Sequence, residues 1–93
     1  MALMARADSA ALAGLAPLLR QLRTLPGLAE KQPGVFHLLG LAFVHFHDDD
    51  GRLSADLKKA SGSGFDRFAV DTPPAQRKFI DEAQRRAAKL ADD

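Results

Sequence analysis

FVHFHDDDG, residues 43–51, decides how the middle of this chain is built. Apolar and polar residues alternate through Val44, His45, Phe46 and His47, the period of a strand with one buried face. Asp48-Asp49-Asp50-Gly51 reads as a turn, because aspartate bonds its own backbone and glycine supplies a positive φ. Residues 52–58 resume the alternation, with Leu53, Ala55 and Leu57 set against Arg52, Ser54, Asp56 and Lys58. The two segments close as a hairpin around the aspartates.

Working outward, VFHLL (35–39) and AFVHFH (42–47) flank a glycine turn at Leu39-Gly40-Leu41, a further hairpin. ASGSG (60–64) is a flexible loop and FDRFAV (65–70) a fourth strand. Toward the N-terminus, Leu12, Leu15, Leu19, Leu22 and Leu25 recur every three or four residues, one stripe of a helix. Ser9 is its candidate N-cap. Pro17 either kinks this helix or begins its firm part, and Pro26-Gly27 ends it. LAEKQPG (28–34) follows as a connector. At the other end Thr72 caps a helix that takes Pro73 and Pro74 in its first turn. Phe79, Ile80, Ala83, Ala87 and Leu90 form its apolar stripe, and Asp81–Arg85 and Glu82–Arg86 are acid-first i,i+4 pairs.

The expected fold is α+β: a helix, a four-stranded antiparallel meander and a helix, with both helices on one face of the sheet. Residues 1–8 read as a tail and 9–91 as a single domain. If the first hairpin has an odd-numbered loop, Phe36, Leu38, Ala42, Val44 and Phe46 share the core face with Leu53, Ala55 and Leu57. The open face then carries Val35, His37, Phe43, His45, His47, Ser54 and Asp56. A slip of one residue in either hairpin would exchange these faces.

The totals bound the function. Ninety-three residues make one modest core. A net charge of +1 argues against an obligatory polyanion partner. With no cysteine, disulfides, a thiol nucleophile and thiolate metal sites are excluded, and a reducing cytoplasm is the fitting compartment. The N-terminal apolar run is broken by Arg6 and Asp8, which argues against a membrane span or signal peptide.

LLRQLRTLPGLAE (18–30) followed by GVFHLLGLAFVHF (34–46) resembles the YjbR-like (MmcQ/YjbR) family of small bacterial proteins. The matching residues are Leu25, Pro26, Gly27, Glu30, Phe36, Gly40 and Phe43, and the likeness covers roughly residues 12–58. It implies a CyaY-type α+β fold and no established activity. Gly40, Phe43, His45, His47 and Gly51 also resemble a short bacterial domain labelled luciferase-like. Neither resemblance supplies a catalytic residue.

Several side-chain sets invite chemistry. His45 and His47 lie about 7 Å apart on one strand face. With His37 or Asp48 they make a candidate zinc or iron set, against the plainer reading of a solvated face entering a turn. The aspartate run fails as a calcium loop, because Phe46 and Leu57 stand where acids are needed. SGSG (61–64) has no Walker lysine and no helix start behind it. Ser54 with His45 as base and Asp56 as orienter is conceivable, but no nucleophile elbow supports it. Arg77, Lys78, Arg85, Arg86 and Lys89 on the last helix could meet phosphates, yet acids interleave with them and no aromatic is placed to stack on bases. The leading expectation is a non-catalytic binding protein of the cytoplasm. It would use the open sheet face for a protein partner or a second copy. Metal binding, and then nucleic-acid binding through the last helix, are the alternatives.

Overall fold

The computed structural model describes residues 5, 6 and 9–92. The elements run β1 (Ala5–Arg6), α1 (Ser9–Ala13), α2 (Ala16–Arg23), β2 (Leu28–Gln32), β3 (Val35–Leu38), β4 (Leu41–Asp49), β5 (Arg52–Lys58), β6 (Phe65–Ala69) and α3 (Pro73–Asp92). Strands β2 to β6 lie side by side in chain order, each antiparallel to the next. β4 outreaches β3, and β1 pairs with the remainder of that edge, Ala5 opposite Asp48 and Arg6 opposite His47.

The meander has five strands where the sequence predicts four, because residues 28–32 form β2 and not a connector. Its Glu30, Lys31 and Gln32 are poor strand formers. As the end strand of the sheet, β2 needs only one paired edge, and exposed charge there discourages further pairing. Glu30 also ties it down: Arg23 Nε donates to its carboxylate at 2.7 Å and the Gly34 amide at 3.2 Å. Part of the expected tail is a strand as well, at Ala5–Arg6, while residues 1–4, 7 and 8 lie outside the described residues. The N-terminal helix is two helices. Pro17 has no amide to donate, so α2 starts afresh with it in the first turn. The Ser9 cap lies outside the described side chains.

Both central hairpins close on two residues with positive φ: Leu39 at 55° and Gly40 at 81°, Asp50 at 57° and Gly51 at 88°. That pattern matches the right-handed twist of the strands. The even loop at Leu39-Gly40 overturns the odd loop expected there. Leu38 faces Leu41 and His37 faces Ala42, yet Phe36 faces Val44, so Phe43 is an extra residue bulged out of the ladder. The bulge turns Phe43 inward, where it is 0% exposed within the core cluster. Ala42 moves to the histidine side, the reverse of the expected placement of these two residues. From Val44 onward the register with β5 is the expected one, Val44 on Leu57 and Phe46 on Ala55.

A single core joins Leu15, Leu18 and Leu22 with Phe36, Phe43, Val44, Phe46, Ala55 and Leu57 of the sheet and Phe79 and Ala83 of α3. Phe79 meets Phe46 and Phe68 edge to face, at 6.0 and 5.7 Å between ring centres. Thr72 caps α3, its hydroxyl accepting from the Ala75 amide at 3.2 Å. Among the described residues no helix is long and apolar enough to cross a membrane.

The bulge makes a sharp prediction. Phe43→Ala is expected to cost about 3–5 kcal/mol, as for a fully buried aromatic. Ala42→Ser should cost less than about 0.5 kcal/mol. Urea unfolding of the two variants checks this, and equal costs would contradict the bulged register.

Candidate functional site on the open sheet face

With Phe43 drawn inward, the histidine face is laid out in rows across the strands. Val35, His45, Asp56 and Arg67 form one row, and His47, Ser54 and Ala69 the next. Asp49 faces Arg52 beyond them. His37 sits between Ala29 and Ala42, on the far side of the bulge from His45.

Asp56 is the centre of this face. Arg67 grips its carboxylate with two bonds, Nε to Oδ1 at 2.8 Å and Nη2 to Oδ2 at 3.2 Å. His47 Nε2 lies 3.0 Å from Oδ2. The Arg67 hydrogen bond holds the Asp56 pKa below the ordinary carboxylate range, against an opposing effect of burial, and the charge of His47 helps. Asp56 in turn raises the Arg67 pKa further, with a smaller attraction from Asp49. His45 is the register partner of Asp56. Its ring stacks on Phe65, 5.4 Å between centres, and stands edge-on to His47 at 6.4 Å.

The expected binding face is therefore partly assembled. His45, His47, Ser54 and Asp56 are together, and His37 is on the same face but apart from them. Val35 lies on this side but is only 6% exposed, so it offers little surface to a partner. Phe43 belongs to the core. The zinc or iron set does not come together. Asp48 faces Leu53, on the opposite side from His47, and its carboxylate accepts the Gly51 amide at 2.8 Å. Among the described residues no group of three His, Asp or Glu side chains is placed to hold a metal ion. The serine arrangement differs too. Ser54 stands across from His47 and not His45, and among the described residues its buried hydroxyl has no hydrogen-bond partner.

Sequence reasoning missed Phe65 and Arg67. The signal was there: residues 65, 67 and 69 alternate as Phe, Arg and Ala along the predicted fourth strand. Its loop length was too loose a guide to register, and only the pairing of Asp56 with Arg67 and Lys58 with Phe65 puts them beside the histidines.

The basic face of α3 is not uniformly available. Arg86 is 14% exposed at its side chain. Its Nε donates to Glu82 at 2.8 Å, its Nη1 to the Lys58 carbonyl at 3.1 Å, and its Nη2 reaches Asp66 at 3.0 Å. The guanidinium also lies over the Phe68 ring, 5.6 Å from its centre. Arg86 thus fastens α3 to the ends of β5 and β6. Arg85 is exposed and pairs with Glu82.

Two outcomes follow from these contacts. Arg86→Ala should lower stability by about 1–3 kcal/mol through lost charged hydrogen bonds and an orphaned carbonyl. Arg85→Ala should change it by less than about 0.5 kcal/mol, since exposed pairs contribute little. Denaturant titration separates the two. Asp56 carries a pH signature. A carboxylate with a depressed native pKa adds stability that is complete above its unfolded value and is lost as pH falls through the native one. Asp56→Asn should therefore be less stable than the native chain near neutrality, and the gap should close below about pH 4. Unfolding curves of both proteins from neutral to strongly acid pH test this; a gap that persists unchanged in acid would refute the assignment.

No family model, no curated protein and no solved structure matches this chain.

Proposed function

We propose that this is a non-catalytic binding protein that works through the open face of its sheet, with a second copy of the chain as the surface it meets. The observation that carries the reading is Phe65. It is 40% exposed, yet its ring is held against His45 at the border of an ion-paired row that Asp56 organises. An aromatic side chain held in place beside ordered polar groups is the usual composition of an interface anchor, apolar in the middle and hydrogen-bonding around it. The chemistry nearby favours binding over turnover. Arg67 and His47 are both engaged with Asp56, and Ser54 makes no bond to a histidine. The YjbR-like resemblance over residues 12–58 is part of the same proposal and adds no catalytic residue to it. So is a cytoplasmic setting, which rests on the absence of cysteine.

Sedimentation velocity from about 1 μM to about 1 mM, the span of weak to moderate affinities, tests the reading. The chain should pass from monomer to dimer within that range. Phe65→Ser should raise the midpoint by about tenfold or more, the effect of losing an anchor residue. A chain that stays monomeric throughout, or a midpoint indifferent to Phe65, would remove this face from the interaction.

A further inference from the structure

A second feature lies at the other end of the same face. Ser54 and Ala69 are register partners, and both are small. Longer side chains stand around them: Arg67 on one side, Asp49 and Arg52 on the other, with Asp71 just past the end of β6. Two small residues among long ones leave a dip in an otherwise even sheet surface. The dip is a cleft of about 380 Å³, lined by these residues and the backbone side of Leu53.

Its lining is mixed in charge. Two arginines and two aspartates line it, so their formal charges balance. A simple anion entering the cleft meets Asp49 and Asp71, and a simple cation meets Arg52 and Arg67. A small molecule carrying both charges can set each against its opposite. Arg67 is also held in place, because Asp56 grips it through two bonds and His47 braces Asp56 from behind.

Ser54 supplies the remaining polar group. Its Oγ is buried without a hydrogen-bond partner among the described residues, while the residue as a whole is only half-buried and lines the cleft. An unpartnered buried hydroxyl is a cost that native structures seldom carry without a use. Rotation about χ1 moves a serine hydroxyl between staggered positions at little expense. Turning toward the cleft would give Oγ the partner it lacks.

We propose that the cleft over Ser54 and Ala69 binds a small zwitterion of the free amino-acid kind. Its carboxylate meets Arg52 and the Ser54 hydroxyl, and its ammonium meets Asp49 and Asp71. The site goes beyond the self-association reading. It uses the opposite end of the face from Phe65, and either can fail while the other stands.

Glycine is the probe, added to the ¹⁵N-labelled full chain at a concentration where it is monomeric, with acetate and methylammonium as half-molecule controls. Glycine should give saturable shifts at the Arg52, Ser54 and Ala69 amides. Each half-molecule should bind at least about tenfold more weakly, having lost one charged hydrogen-bonding group. Ser54→Ala should weaken glycine binding by about tenfold for the same reason, without lowering the thermal midpoint, since it removes a hydroxyl that had no partner. Four outcomes overturn the proposal: no saturation with glycine, acetate or methylammonium binding as tightly as glycine, Ser54→Ala leaving affinity unchanged, or Ser54→Ala melting earlier because its hydroxyl has a structural partner.

Discussion

Phe43 and Val44 are neighbours in the chain, yet both point into the core. A strand in strict alternation cannot do this. One extra residue in β4, set against the Phe36–His37 step of β3, removes the conflict. Much else depends on that bulge. It adds a fully buried phenylalanine beneath the helices. It lets a two-residue turn at Leu39-Gly40 coexist with Phe36, Val44 and Phe46 on the same face. It also separates His37 from His45, so that the histidines are two groups and not one.

Beyond the bulge, β4 alternates cleanly, and the face away from the core becomes an electrostatic array. Asp56 could have been a lone carboxylate on a sheet surface. Two bonds from Arg67 and a contact from His47 make it the best-ordered group on that side. The array is partly exposed, so solvent screening limits what it adds to stability. Its larger consequence is orientation. It fixes Arg67 and His47 and leaves His45 to stack on Phe65. A face organised this way suits recognition better than acid–base chemistry, because Asp56, Arg67 and His47 are engaged with one another.

Two residues break local rules. Leu39 holds a left-handed φ of 55° in a turn where asparagine, aspartate or glycine is usual, and it is 67% exposed. Ser54 buries a hydroxyl with no partner among the described residues. Neither helps the fold. Sites where a sequence gives up local consistency are where function is most often found. For Ser54 the adjoining cleft supplies a reason; for Leu39 nothing in the structure does.

How much of this was legible beforehand depends on the range of the interaction. Strand alternation in β4 and β5, the Asp50-Gly51 turn, the Thr72 cap and the Phe79–Ala83–Ala87 stripe are set by neighbours within a few residues, and the sequence determined them alone. So did the placing of His45, His47, Ser54 and Asp56 on one face, because a period of two needs no partner to be read. The rest is long-range. β2 reads as loop in isolation, since its polar residues become a strand only when β3 offers an edge. The bulge is invisible because Ala42-Phe43-Val44 fits either register until Phe36 and α2 compete for the core. Phe65 and Arg67 join the face through the register of β6, and Arg86 leaves the exposed basic set because two strand ends happen to lie under it. Local geometry chose which side each residue faced within its own strand. Only the assembled sheet decided which strands stood next to one another, and so which of those side chains could meet.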